Sequence, residues 1–179
     1  MEQAFHLYNS FAKDGISLAL EKHFSAPPVV LCIGSDLAIG DSLGPLVGSM
    51  IRHKTQGIHP FVYGTLSSPV TAKEIKYMRG FLKATHPRSP ILAIDAAVGN
   101  SGDIGLIKIA PTPLLPGAGA NKKLGKIGDF SLIGIVAEKS LGNYALFHQT
   151  RVHLIYSMAD IISDGVASFL WQNHKKIIV

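Results

Sequence analysis

Three observations predict an α/β fold, a three-layer α/β/α sandwich with a mainly parallel sheet, in a single domain spanning residues 1–179. Residues 29–33 and 91–96 are apolar throughout, as strands covered on both faces are. Helical patterns alternate with extended runs in a β-α-β-α-β opening, which calls for a parallel sheet wrapped by helices. No linker divides the chain, and 179 residues suit one core.

Each element has a local reason. Residues 9–23 form an amphipathic helix with Phe11, Ile16, Leu18 and Leu20 among its apolar positions. Pro27-Pro28 ends that segment and launches the first strand, 29–33. The next helix covers 45–53. Proline is most comfortable at the first helical position, which makes Gly44 the cap. Residues 61–64 are a short second strand. Thr71 and Glu74 have capping-box spacing, so a helix opens there and runs to 84, where His86-Pro87 stops it. The third strand, 91–96, is followed by a fourth, 104–109, bounded by Gly102 and Pro111. Their short glycine-containing connection predicts antiparallel pairing of the fourth with the third. A Gly/Pro-rich loop, 111–128, leads to the fifth strand, 132–136, and a long helix over 152–171 closes the chain.

Composition excludes several classes. An apolar share of 47% against 16% charged residues rules out a disordered chain. No run approaches the roughly 20 apolar residues of a membrane span. The start, Met1-Glu2-Gln3-Ala4-Phe5-His6, lacks the basic and apolar regions of a signal peptide. The lone Cys32 forms no internal disulfide and fits a reducing cytoplasm; its apolar neighbours Val30, Leu31 and Ile33 mark an inert buried thiol. The net charge of +5 is spread along the sequence, densest at Asn121-Lys122-Lys123 and Lys175-Lys176. No helix-turn-helix, zinc-finger spacing or aromatic–basic strand accompanies it, so neither nucleic acid nor membrane is expected as a partner. A mildly basic surface that steers acidic partners is the simpler reading.

The chemistry concentrates in Gly34-Ser35-Asp36-Leu37-Ala38-Ile39-Gly40-Asp41. A P-loop has four residues between its glycines and then Lys-Ser/Thr; here there are five, and Asp41 follows. A carboxylate there repels phosphate, and the dinucleotide fingerprint is absent too. The structural alternative for Asp41 is an N-cap, but Pro45 moves the cap to Gly44. Asp95 closes the third strand, where a buried carboxylate must be paired, hydrogen-bonded, protonated or at an open strand end. Ligands of open α/β sheets bind beyond the carboxyl ends of the strands, where strand order reverses. If the first and third strands are neighbours, Asp41 and Asp95 meet there.

Two such acids divide labour: one ionised to activate water, one protonated to polarise a carbonyl. Metal binding is the other use of two oxygen ligands, with a histidine completing the site. His148 is the downstream candidate, in a segment without motif context. The loop Leu115-Pro116-Gly117-Ala118-Gly119-Ala120-Asn121-Lys122-Lys123 is small enough for its amides to approach a ligand, with lysines to contact a carboxylate or peptide; an ordinary surface loop is its structural alternative.

Together these segments resemble the germination protease of bacterial endospores and the fold group of the hydrogenase-maturation peptidases. Gly40-Asp41-Ser42-Leu43-Gly44-Pro45 is similar to the protease's Asp-Ala-Leu-Gly-Pro, and Ile94-Asp95-Ala96 to its Ile-Asp-Ala. Residues 116–123 are similar to its Pro-Gly-Ser-Gly-Val-Gly-Asn-Lys, in the same order. In length the chain is most similar to the YyaC-type sporulation proteins, regarded as spore proteases. The resemblance covers about 29–136. It implies a phosphorylase/hydrolase-like α/β/α core and an aspartate-dependent peptidase, with Asp41 and Asp95 as the catalytic pair.

Two departures limit the carry-over. Leu115 stands where the germination protease has His, and the chain is far shorter. The maturation peptidases grip nickel with matching acids plus a histidine, but no histidine lies between His86 and His148, where that ligand falls.

The resulting expectation is a cytoplasmic protein of sporulating bacteria, in the forespore or spore interior. It is a peptidase-like hydrolase acting on a peptide or protein through Asp41 and Asp95, with no metal and no cofactor. Gly34, Ser35, Asp36, Gly117, Gly119, Asn121 and Lys122 are the candidate substrate contacts. Homo-oligomerisation stays open. A non-catalytic sporulation factor binding a peptide or small ligand, and a metal-dependent maturation peptidase, are the alternatives.

Overall fold

The computed structural model describes residues 2–116, 124–139 and 150–178. In chain order the elements are β1 (Gln3–His6), α1 (Ala12–His23), β2 (Val29–Cys32), a 3-10 turn (Ile39–Ser42), α2 (Leu43–Lys54), β3 (Val62–Tyr63), α3 (Ile75–Thr85), β4 (Ile91–Gly99), a second 3-10 turn (Ser101–Asp103), β5 (Leu106–Ala110), β6 (Phe130–Glu138) and α4 (Val152–Ile178). The strands form one six-stranded sheet in the order β1-β5-β6-β4-β2-β3. β3, β2, β4 and β6 are mutually parallel, while β5 pairs antiparallel with both β6 and β1.

Strand alternation sorts the apolar side chains into two cores. Val30, Cys32, Leu92 and Ile94 pack with Ile16 and Leu20 of α1, Val47 and Ile51 of α2, and Ile155, Met158, Ile162 and Phe169 of α4. Val29, Leu31, Ile33 and Ala93 pack on the other face with Ile75, Met78 and Leu82 of α3 and with Leu114 and Ile127. The three-layer sandwich read from sequence is what the chain builds. Each large side chain fully enclosed, Phe169, Leu20 and Leu31 among them, contributes about 1.5–3 kcal/mol relative to an exposed one.

Several local expectations are corrected. The fourth strand does not pair with the third: β6 occupies that side of β4, and β5 lies beyond it, its connection held by the Gly105 amide donating to the Ile135 carbonyl at 2.9 Å. β4 continues four residues past Asp95 because β6 stays paired with it as far as Gly99↔Glu138. The 71–74 pairing forms, with the Thr71 amide donating to Glu74 Oε2 at 2.8 Å, but it closes a turn, and α3 starts at Ile75. Pro45 is the third residue of α2, still among first-turn amides without an intrahelical partner, so the helix starts two residues earlier than expected. Phe11 and Leu18 are exposed while Ile16 and Leu20 are sealed, since α1 offers one stripe to the sheet. The edge strand β1 has no sequence signature: four residues, Gln-Ala-Phe-His, take their pairing entirely from β5. α4 is long and apolar enough to cross a membrane, contrary to the sequence reading, yet 56% of its apolar window is buried inside the fold.

Candidate active site

The path of the chain around β2 creates the site. From β2 it passes through α2 on one face to β3 on one side, then returns through α3 on the opposite face to β4 on β2's other side. Strand order therefore reverses between β2 and β4, which is where crevices of open α/β sheets form. The two strands are paired up to Cys32↔Ile94, and the Ile33 amide still donates to the Ile94 carbonyl at 2.7 Å. At Gly34 the chain leaves the sheet, so β4 loses its neighbour on that side at residue 95, four residues before its own end.

Backbone contacts fix the departing loop. Gly34 has φ +144°, and a Cβ there would lie 2.1 Å from the Asp41 carbonyl oxygen, so only glycine fits. Its amide donates to the Val70 carbonyl at 3.0 Å, and the Ser35 amide to the Asp41 carbonyl at 3.0 Å. The Leu37 amide donates to Ser35 Oγ at 3.2 Å, a serine turn within the loop. The Asp41 amide donates to the Ala38 carbonyl at 3.0 Å and closes the 3-10 turn. Beyond it, Gly44 lets α2 ride on the end of β2: a Cβ at this position would come within 1.9 Å of the Ile33 carbonyl oxygen. Gly34 and Ser35 thus spend their amides on building the loop, whereas Asp36 is exposed.

Asp41 sits in the 3-10 turn, half-buried, one residue before the α2 N-cap, Ser42, whose side chain makes no capping bond. The cap is neither Gly44 nor Asp41. Asp95 is 8% exposed, on the face that Ile91 and Ala93 share with α3, and its Oδ1 accepts the Ala96 amide at 2.9 Å. Burial, and secondly the charge of Asp41, push the Asp95 carboxyl well above the usual carboxylate range, against the smaller opposing effect of the Ala96 amide. The charge of Asp41 thus acts on the Asp95 carboxyl, and Asp95 is the more deeply buried of the two acids.

Of the other expected groups, Gly117, Gly119, Asn121, Lys122 and His148 lie outside the described residues. The flanks of the 117–123 segment are placed: Leu114 and Ile127 exchange two backbone bonds of 2.9 Å, and Arg79 of α3 donates to the Leu124 and Lys126 carbonyls at 2.7 and 3.2 Å. That segment therefore leaves and rejoins the fold on the α3 side, the face to which Asp95 belongs. Among the described residues no three His, Cys, Asp or Glu side chains converge as a metal site. Cys32 is fully buried and burial pushes its thiol up, the inert state read from its neighbours.

Sequence reasoning missed Val70 and Gly64. Val70 pairs with Ile33 and accepts the Gly34 amide, and Gly64, at φ +84°, brings its carbonyl against α2, where a Cβ on Gly48 would lie 2.0 Å from it. Only Gly64, a glycine directly after a strand, carried a visible signal.

Comparison with known proteins places this architecture. The family described as "Protein of unknown function (DUF1256)" matches residues 4–165. A Bacillus subtilis (strain 168) protein, "Uncharacterized protein YyaC", is 38% identical over 152 residues, which make up 85% of this chain and 74% of that one. Among solved structures, the [NiFe] hydrogenase maturation protease HycI from Thermococcus kodakarensis KOD1 is similar in fold. Its TM-score is 0.54 at 18% identity, over 86% of this chain and 99% of that one. The YyaC-type protein and peptidase-group fold expected from sequence are both found.

Proposed function

The chain belongs to the DUF1256 family, and from that premise we propose that it is a peptidase-like hydrolase in which Asp41 and Asp95 activate water on a peptide bond. The observation that carries this reading is the electrostatic link between the two acids at the switch point of the sheet: Asp95 is buried and held toward its protonated form, and the charge of half-buried Asp41 adds to that effect. The fold likeness to a maturation protease supports a peptidase scaffold. Asp41 takes a proton from water as its oxygen bonds to the carbonyl carbon, while the Asp95 proton is donated to the developing oxyanion. Collapse returns that proton to Asp95 and breaks the C–N bond as Asp41 delivers its proton to the leaving nitrogen. Net, one water is consumed and both acids are restored.

Asp36, exposed on the loop before Asp41, is the proposed contact for the incoming chain. The metal-independent form rests on donor chemistry, since two carboxylates alone suit nickel or zinc poorly. The motif likeness to the endospore germination protease supports a role in sporulating bacteria, in the cytoplasm or forespore. The test compares peptide termini in cells carrying the wild-type protein and Asp41→Asn. Termini lost in the variant are expected. Identical sets of termini would overturn catalysis in favour of a factor that binds a peptide or small ligand in the same crevice.

A further inference from the structure

Basic residues crowd the segment that carries α3. Between residues 71 and 91 stand Lys73, Lys76, Arg79, Lys83 and Arg88 against a single carboxylate, Glu74, which Thr71 already engages. At the carboxyl end of α3, Arg79 and Lys83 border a cavity of about 410 Å³, running between Lys83, His86 and Ser89 on one side and Lys126 to Asp129 on the other. It lies at the amino ends of β4 and β6, the edge of the sheet opposite the Asp41–Asp95 site.

The lining has two parts. Leu82, Pro87, Ile91, Pro113 and Ile127 supply an apolar floor, and Arg79, Lys83, His86 and Lys126 a basic rim. Arg79 spends donors on the Leu124 and Lys126 carbonyls, and His86 Nε2 is bonded to the Tyr63 hydroxyl at 2.8 Å. The ammonium groups of Lys83 and Lys126 make no hydrogen bond or ion pair among the described residues. The cavity's one carboxylate, Asp129, is committed through Oδ2 to the Ile91 amide at 2.9 Å and pairs with neither lysine. An apolar floor, its deepest residues Leu82 and Ile127, beneath two cations without an ion-pair partner among the described residues is the pattern of a small-ligand site, with a few polar groups fixing orientation.

We propose that this cavity binds a small organic anion, an apolar or aromatic body bearing a carboxylate or phosphate that Lys83 and Lys126 hold at the rim. The site is separate from the aspartate pair and does not depend on it. Both parts are required: the floor alone would accept neutral molecules, and the rim alone any anion. A nucleic acid would instead engage basic residues beyond the cavity, Lys73 and Lys76 included.

The experiment follows backbone amide shifts of the full chain by NMR with phenyl phosphate as probe. Benzyl alcohol, inorganic phosphate and a short oligothymidylate serve as comparators, in physiological salt. Phenyl phosphate should shift the amides of Lys83, Ile127 and Asp129 saturably, at least tenfold more tightly than benzyl alcohol or inorganic phosphate. The double variant Lys83→Gln/Lys126→Gln, changing exposed side chains only, should weaken it at least tenfold. No saturable shift, an equal response to benzyl alcohol or to inorganic phosphate, or an unchanged double variant would overturn the proposal. So would tighter binding of the oligothymidylate with shifts spread along α3, which would mark a polyanion surface.

Discussion

Asp95 feels the charge of Asp41: added to the larger effect of burial, it holds the Asp95 carboxyl well above the usual carboxylate range. The two residues are 54 positions apart in sequence, and β2 ends one pair short of Asp95 while β4 runs on.

Stability should record that proton. With a raised pKa in the folded state, Asp95 keeps its proton where the unfolded chain has lost it. Stability contributed by this group is therefore full below the unfolded pKa, 3.8, and falls as pH climbs toward the folded value. The slope is up to about 1.4 kcal/mol per pH unit. Asp95→Asn, which keeps an acceptor for the Ala96 amide, should fold and lose this slope. Thermal unfolding from pH 4 to 8 for both proteins checks it.

Removing the neighbour should act in a graded way. In Asp41→Asn the Asp95 carboxyl should titrate lower than in the wild type yet stay above an ordinary aspartate, since burial is the larger cause. Carbon-13 NMR of the side-chain carboxyl reads this directly. An unchanged titration would mean the two acids do not communicate.

Hydrolysis should be lost in either single variant, Asp41→Asn or Asp95→Asn, with circular dichroism unchanged. Groups acting as one unit are non-additive, so the double variant should be little worse than either alone. The readout is cleavage of a substrate identified from the termini comparison.

Gly44→Ala tests the seating of α2. The new methyl would meet the Ile33 carbonyl at 1.9 Å, a backbone atom that cannot move aside without shifting β2 or the helix. We expect a loss of about 1–3 kcal/mol, measured by urea unfolding, as for other overpacked sites.

Cys32 should be silent. It is fully enclosed between β2's neighbours and α2, and burial disfavours its thiolate. A thiol reagent should label the native protein negligibly and the urea-unfolded chain at once.

Much of this was legible beforehand. The runs 29–33 and 91–96 announced buried parallel strands because a strand covered on both faces leaves no room for polar alternation. Both acids could be named because a carboxylate is costly at the end of such a strand and out of place in a phosphate loop. The edges were less legible. β1 and β3, four and two residues long, carry too few side chains for periodicity and exist through their partners. The antiparallel partner of β5 was misread because a short connection suggests a hairpin, whereas β6 competes for the same edge of β4 with a longer, more apolar register.

The sequence by itself therefore determined the layers and the parallel centre of the sheet and marked Asp41 and Asp95 as the candidate pair, since burial and charge leave marks on local composition. Only the tertiary structure decided that Asp95 lies mid-strand within range of the Asp41 charge, and that α2 sits on the Ile33 carbonyl. It also decided that Lys83 and Lys126, 43 positions apart, line one cavity. Those relations depend on strand order and close backbone approach, quantities set by the whole chain packing at once and written in no single segment of it.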